Sequence, residues 1–309
     1  MTQEDDEATM VNVIKTDSDI YIIDPNGSGR GTSVYLIVGR DEIALIDPGS
    51  SFFTNYVLEG IERLNIDPTD ITHILLTHVH LDHCGNVGAL LPKMSNADVF
   101  VHERGVKHLI NPSKLVKSAK QGWGDEATKK VYGGDEIIPV PENRIIAIKE
   151  GDIIDIGEGN DLRVIYAPGH ASHQVCFFNE SRKSLFAGDA AQTYNPLTDR
   201  LILNTPPPFN LDLSVKTIER LMDLEIDVLY FAHFGPYIYP KRILKAVLEE
   251  LDDFGEWVKN EWIKSKNIDE MADKRIDEWV RLIPDADPSF MHQRLRSNII
   301  GYLTYFGLM

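Results

Sequence analysis

Thr77-His78-Val79-His80-Leu81-Asp82-His83 is the stretch on which the reading of this chain turns. Three histidines and an aspartate fall between positions 78 and 83, in a protein whose 309 residues include only 10 histidines. Composition alone would place such a cluster in roughly one chain in a thousand. The apolar run Ile71–Thr77 predicts a strand before it, and Asp82–Leu91, closed by Pro92, predicts a helix after it. On extended chain, residues 78, 80 and 82 point the same way, and a turn into helix re-aims residue 83. A strand end that becomes a helix can therefore direct two sets of donors at two adjacent points. Imidazole and carboxylate donors suit zinc, and equally iron or manganese.

Further along, three more strand-like runs end on a residue that can bind metal. Ala167-Pro168-Gly169-His170 follows Leu162–Tyr166, Leu185-Phe186-Ala187-Gly188 leads to Asp189, and Tyr230-Phe231-Ala232 leads to His233. Strand ends on a rigid scaffold are where functional groups usually sit. Upstream, Leu45-Ile46-Asp47-Pro48-Gly49 stops another strand on an acid.

Together these segments resemble the metallo-β-lactamase-fold hydrolases. THVHLDH at 77–83 looks like that family's HxHxDH signature, and APGH, FAGD and FAHFG follow in the family's order. The resemblance spans about residues 18–235 and implies an α/β protein, a four-layer αββα sandwich with two metals at one sheet edge. It implies that His78, His80 and His170 hold the first metal, that Asp82, His83 and His233 hold the second, and that Asp189 bridges them. It places Asp47, with Thr77, in hydrogen bonds behind the ligand loop; for Asp47 a plain turn residue is an equal reading. HERGVKHLINPSKL at 102–115, PGHASHQV at 168–175 and AHFGP at 232–236 are also similar to an archaeal and bacterial subgroup near the hydroxyacylglutathione hydrolase-like branch. That similarity names no substrate.

The rest of the chain fits around this core. Residues 1–18 are polar and read as frayed or edge structure. Ile20–Asp24, Thr32–Gly39 and Glu42–Asp47 read as strands, the last two joined by a hairpin turn at Gly39-Arg40-Asp41. Phe53–Leu64 and Leu211–Leu224 have helical spacing, and Ala97–His102, 144–148, 161–166, 175–179, 184–188 and Asp227–Phe231 read as strands. Residues 103–133 predict a helical insertion broken at Asn111-Pro112. From Pro240 the apolar stripe Ile243, Val247, Leu251, Phe254, Val258, Trp262 predicts a long helix, with two more over 269–283 and 289–307. The expected division is a metal-site domain over 1–239 and a C-terminal helical extension over 240–309 packed on it.

Acidic residues outnumber basic ones 48 to 31, for a net charge of -17. That argues against nucleic-acid and anionic-membrane partners. Two cysteines, Cys84 and Cys176, suggest no disulfide framework. The polar start and the absence of a long apolar run predict a cytoplasmic protein.

The expected activity is hydrolysis. Two divalent ions, zinc first among the candidates, share a water and lower its pKa; the bridging hydroxide attacks the carbonyl of a small thioester, ester or lactone. Asp82 and Asp189 are the carboxylates assigned to this chemistry. The alternatives are a mononuclear iron dioxygenase of persulfide type and a non-hydrolytic diiron sensor or redox protein. On the substrate side, Tyr194 could donate to an oxyanion, and His173 could either support the ligands or face substrate, a surface position being the plainer reading. His108 and Arg104 either reach the site mouth or form a solvated helix face. Cys84 reads as a buried thiol. The expected partner is a small molecule; Trp257, Trp262, Tyr302, Tyr305 and Phe306 offer either core packing or a homo-oligomer interface.

Overall fold

The computed structural model describes residues 11–25, 31–132, 137–157, 159–284 and 286–309. Its first sheet has seven strands in chain order: β1 (Asn12–Lys15), β2 (Ile20–Asp24), β3 (Val34–Val38), β4 (Ile43–Ile46), β5 (His73–Leu75), β6 (Asp98–His102) and β7 (Ile145–Ile148). β1 to β4 are antiparallel and β4 to β7 parallel. The parallel pairs need crossovers, and helices supply them: α1 (Thr54–Arg63), then α2 (Leu81–Cys84) and α3 (Val87–Leu90), then the insertion α4 (Val106–Ile110), α5 (Ser113–Trp123) and α6 (Asp125–Tyr132). The second sheet contains β8 (Ile153–Ile154), β9 (Leu162–Tyr166), β10 (Val175–Asn179) and β11 (Ser184–Gly188). A hairpin of β12 (Thr193–Asn195) and β13 (Arg200–Ile202) and helix α7 (Leu211–Met222) precede its last strands, β14 (Val228–Phe231) and β15 (Pro236–Tyr237). Three helices end the chain: α8 (Pro240–Ser265), α9 (Ile268–Val280) and α10 (Pro288–Tyr305).

Strand alternation explains the layering. Along β3, Val34 and Leu36 face the helices α1 to α3, whereas Tyr35 and Ile37 face the other sheet. Along β10, Val175 and Phe177 meet that inter-sheet layer, whereas Cys176 and Phe178 join a layer with α7 to α10. Each sheet is therefore apolar on both faces, and helix, sheet, sheet and helix stack in that order. Tyr35 packs edge-on against Phe186 and Tyr230, each at 5.2 Å between ring centroids, and forms the seam between the sheets. Truncating a fully buried aromatic such as Phe186 costs about 3–5 kcal/mol. The expected αββα sandwich is the fold.

At one end the sheets are tied directly. Thr77 carbonyl accepts the Val175 amide at 2.8 Å, Ala232 carbonyl accepts the Ser33 amide at 2.7 Å, and Thr32 bridges to His233. The metal-capable segments cluster at this tied edge.

One expectation needs correction. Residues 82–91 do not form one helix: α2 and α3 are separated at Gly85-Asn86. The loop after β4 diverts them, because Gly49 amide donates to His83 carbonyl, and Asn86 donates through its amide to Gly49 carbonyl and through its side chain to Pro48 carbonyl. A Cβ on Gly85 would lie 3.2 Å from Ser50 Cα, so only glycine permits this approach. Of the polar start, read as frayed or edge structure, Asn12–Lys15 forms edge strand β1, while residues 1–10, like Gly133 of the insertion, lie outside the described residues.

The stripe Ile243, Val247, Leu251, Phe254 and Val258 is buried in the layer that also holds Leu185, Ala187 and Phe231 of the second sheet, and Trp262 packs against it. Tyr302 is fully buried with its hydroxyl on Leu251 carbonyl, and Trp257 and Phe306 lie against the same layer, so these aromatics serve the interior. Among the described residues no helix is long and apolar enough to cross a membrane.

Candidate metal centre

The seven side chains expected to bind metal meet at the tied edge in two groups. His78, His80 and His170 form one; Asp82, His83, Asp189 and His233 form the other, and within each group the donor atoms all lie within 4.8 Å. The division falls where extended chain becomes helix. His78 and His80 lie before α2, and Asp82 and His83 are its second and third residues. His170 follows β9, Asp189 follows β11 and His233 follows β14, each at the same end of the second sheet.

In the first group, His80 Nδ1 lies 3.0 Å from His78 Nε2 and 2.9 Å from His170 Nε2. His170 Nδ1 donates to Asn204 carbonyl at 2.7 Å. Thr77 Oγ1 uses its proton on Asp47 Oδ2 at 2.6 Å, so it accepts from His78 Nδ1 at 3.1 Å. Both Nε2 atoms then present lone pairs to the centre. His80 Nδ1 can donate to only one of them, so a cation relieves the crowding of three nitrogens.

Asp47 organises the second group. It is buried, holds a left-handed φ of 47°, accepts the Thr77 amide at 2.8 Å through Oδ1 and accepts His83 Nδ1 at 2.9 Å through Oδ2. His83 Nε2 is thereby turned to Asp189 Oδ2 at 3.5 Å and Asp82 Oδ2 at 3.7 Å. His233 Nε2 lies 3.6 Å from Asp189 Oδ1 and 3.9 Å from Asp82 Oδ2. Asp189 stands between the groups, its Oδ2 also 3.5 Å from His170 Nε2 and 4.0 Å from His78 Nε2.

The residues fit a pair of cations. His83 Nε2 and Asp189 Oδ1 are buried without a hydrogen-bond partner, a costly state for polar atoms unless an ion occupies the space between them. Burial, reinforced by the neighbouring imidazoles, holds His78 and His80 well below the usual histidine range, which keeps them neutral and able to ligate. Burial would lower His83 too, but Asp82, Asp189 and Asp47 outweigh it and raise that imidazole well above the ordinary value. Burial would raise Asp189, but His83, His170 and His233 prevail and hold its carboxyl far below the usual range.

His173 is not a plain surface residue. Its ring lies 6.2 Å from His78 and 6.1 Å from His80, its Nδ1 is buried without a partner, and burial, then His108, lowers its pKa to about 3. His108 lies 6.3 Å beyond it, and Arg104 donates to Ser172 carbonyl at 3.3 Å, so both sit at the rim. Tyr194 is a correction: β12 carries it away from the cluster, and its hydroxyl is used on Asp199 Oδ1 at 2.7 Å while its ring packs on Tyr237. Cys84 and Cys176 are free, buried thiols raised by burial.

Asn204 was missed by sequence reasoning. Its carbonyl fixes His170 and its side-chain amide donates to Asp189 Oδ2. Its position directly after the strand-like Leu201-Ile202-Leu203 was the available signal.

The chain belongs to the metallo-beta-lactamase superfamily, whose family model matches residues 27–233. It is 31% identical over 222 residues to the metallo-beta-lactamase fold-containing protein ST1585 of Sulfurisphaera tokodaii, covering 71% of this chain and 78% of the relative. It is also 31% identical over 213 residues to the probable metallo-hydrolase MJ0888 of Methanocaldococcus jannaschii, covering 69% of this chain and 92% of the relative. The crystal structure of ST1585 superimposes with a TM-score of 0.66 at 24% identity, over 94% of this chain and all (100%) of that one. A metal-soaked flavodiiron core from Synechocystis shares the fold with a TM-score of 0.56 at 20% identity, over 78% of this chain and 60% of that chain.

Proposed function

We propose that this protein is a dinuclear metal-dependent hydrolase of small thioesters, esters or lactones, with zinc as the resident ion and the cytoplasm as its compartment. The observation that carries the reading is the position of Asp189, whose carboxylate lies within 4.0 Å of donors from both groups. The ions, held by His78, His80 and His170 on one side and Asp82, His83 and His233 on the other, would supply a Lewis acid for the carbonyl and a water acidic enough to attack it at neutral pH. The chain's own part is orientation. Asp47 and Thr77 fix the rings of His83 and His78, and Asn204 fixes both His170 and Asp189. Asp82 and Asp189 would orient the attacking water, whose proton passes to the departing oxygen or sulfur. Two free buried cysteines accord with a reducing compartment.

A diiron redox role is the second reading, favoured by the likeness to the flavodiiron core. Elemental mass spectrometry of protein purified without added metal separates the two: about two zinc per chain supports the hydrolase, and iron with oxygen uptake supports redox chemistry. Asp189→Ala is expected to abolish metal-dependent thioester and lactone turnover while the fold persists. Full activity in a folded Asp189→Ala protein would remove Asp189 from the bridging position.

A further inference from the structure

Helices α5 and α6 of the insertion lie against α2, which carries Asp82 and His83, and α5 meets the C-terminal helix α10. Trp123 at the end of α5 stacks on Phe290 of α10 at 5.3 Å, and Gln293 of α10 donates to Gly122 carbonyl. Asn298 fastens α10 from below, accepting the Thr205 amide and hydroxyl and donating to Leu203 carbonyl. The residue between those two is Asn204, which holds His170 and Asp189. Arg294 lies one helical turn before Asn298 and so shares its face. The other basic groups nearby, His292 and Arg296, lie about 160° away on the helix and pair with Asp273 and Asp269 of α9. Arg294 is partly buried, and among the described residues no hydrogen bond or ion pair holds its guanidinium. Burial lowers its pKa, while Asp189, Tyr132 and Asp82 pull it back up. Tyr132 approaches the same space from the end of α6, buried, with its carbonyl bound by the Ser51 hydroxyl in the loop that follows Asp47. Its phenol is raised by burial and by Asp82, an effect Arg294 opposes.

A guanidinium here has no standing countercharge once the centre is loaded. Two dications would take up the charge of Asp82, Asp189, Asp47 and a hydroxide, leaving Arg294 uncompensated in a desolvated place. A chain with a net charge of -17 also repels anions at long range, so an acidic substrate would need a local cation to hold it.

Resting on the hydrolase reading, we propose that Arg294 and Tyr132 form an anion-binding site over the metal pair, and that the substrate is a carbonyl compound carrying a carboxylate or phosphate close to its scissile bond. Arg294 would grip that anion with its planar fork and Tyr132 would donate a further hydrogen bond.

The test compares the thioester acetylthioacetic acid with its primary amide, a neutral analogue of nearly the same size with no second ester bond, on zinc-loaded protein. The acid is expected to be preferred by about a hundredfold in kcat/KM, and Arg294→Gln to remove that preference, mainly through KM, with thiol release from the amide changed by no more than about twofold. Arg294→Lys, which keeps the charge and loses the fork, should retain part of the preference. Calorimetric binding of the uncleavable thioether (propylthio)acetate gives a readout independent of turnover: about a hundredfold weaker to Arg294→Gln, with zinc content unchanged. An acid bearing phosphonate in place of carboxylate distinguishes the two anions by relative affinity. Equal handling of acid and amide by the wild-type protein, or equal thioether binding by wild type and Arg294→Gln, overturns the anion site and leaves the hydrolase intact. Arg294-dependent thioether binding without turnover of either thioester supports the anion site and overturns the hydrolase.

Discussion

Asp47→Asn is the most searching perturbation of the centre, because it changes one atom that touches no metal donor site directly. The carboxylate accepts the Thr77 amide at 2.8 Å, the Thr77 hydroxyl at 2.6 Å and His83 Nδ1 at 2.9 Å. Asp47→Asn can keep the first bond through its remaining oxygen, but it puts an amide nitrogen, a donor, where two protons already point. The Thr77 hydroxyl can reverse and accept, which removes the acceptor that fixes His78 Nδ1. His83 cannot reverse without moving its proton to Nε2, the atom turned to Asp82 and Asp189, and that tautomer cannot bind a metal. A lost hydrogen bond to a charged group costs about 1.5–3 kcal/mol in stability of the metal-free protein. Loss of a group that orients a ligand weakens metal binding about 10- to 100-fold, about 1.4–2.8 kcal/mol. The larger loss should fall on the ion held by Asp82, His83, Asp189 and His233, and the smaller on the trio reached through Thr77. Competition for zinc against a chromophoric chelator resolves the two steps. Two zinc ions bound by Asp47→Asn with wild-type affinities would refute the claim that Asp47 sets the tautomer of His83.

Two further outcomes follow from the same packing. Gly188 holds a φ of +54°, and a Cβ there would lie 2.5 Å from Thr77 Oγ1 and 2.7 Å from its Cβ, so Gly188→Ala should cost about 2–4 kcal/mol by urea unfolding and loosen the ligand loop. Unchanged stability would mean Thr77 is free to move. Chelator-treated protein should lose stability as pH falls through about 6.5, because His78, His80, His173 and His233, all lowered first by burial, stay neutral in the fold while the unfolded chain takes up their protons. Each adds about 1.4 kcal/mol per pH unit at most. His83 acts in the opposite sense: its raised value stabilises the fold below about 6.5 and that contribution disappears as pH rises through the folded value. A melting temperature flat from pH 7 to 5 would contradict the burial of these rings.

The ligands were legible because they are either contiguous or punctuated. His78 to His83 crowd into one short string, and His170, Asp189 and His233 each end a run of apolar residues. The layering came from the family resemblance, and the structure shows why it holds: Val34, Tyr35, Leu36 and Ile37, apolar at every position, lie on a strand covered on both faces. What sequence missed depends on partners distant in the chain. The break at Gly85-Asn86 is imposed by bonds to Pro48 and Gly49, which no local propensity records. Tyr194 was misplaced because its five-residue separation from Asp189 says nothing of the hairpin that hands its hydroxyl to Asp199. Arg294 was invisible for a different reason: it is one of three basic residues at alternate positions, and only the packing of α10 shows that His292 and Arg296 face α9 while Arg294 does not.

That distribution separates reactivity from selectivity in physical terms. The donors and the groups that orient them come from strand ends and the loops beside them, tied across both sheets by the Thr77–Val175 and Ser33–Ala232 backbone bonds, so their geometry is held by the most deeply buried part of the molecule. Arg294 and Tyr132 come instead from two helices outside the sheets, α10 and α6, and the Trp123–Phe290 stack ties α10 to the neighbouring α5. A change in α6 or α10 can alter what enters without removing a metal donor, because neither helix supplies one; α10 is linked downward through Asn298 to the Leu203–Thr205 segment, and α6 through the Ser51–Tyr132 bond. Cutting the Asn298 link should therefore lower both properties at once: Asn298→Leu would free α10 and Asn204 together, and metal affinity and substrate preference would fall in the same variant, whereas Arg294→Gln would lower only the preference.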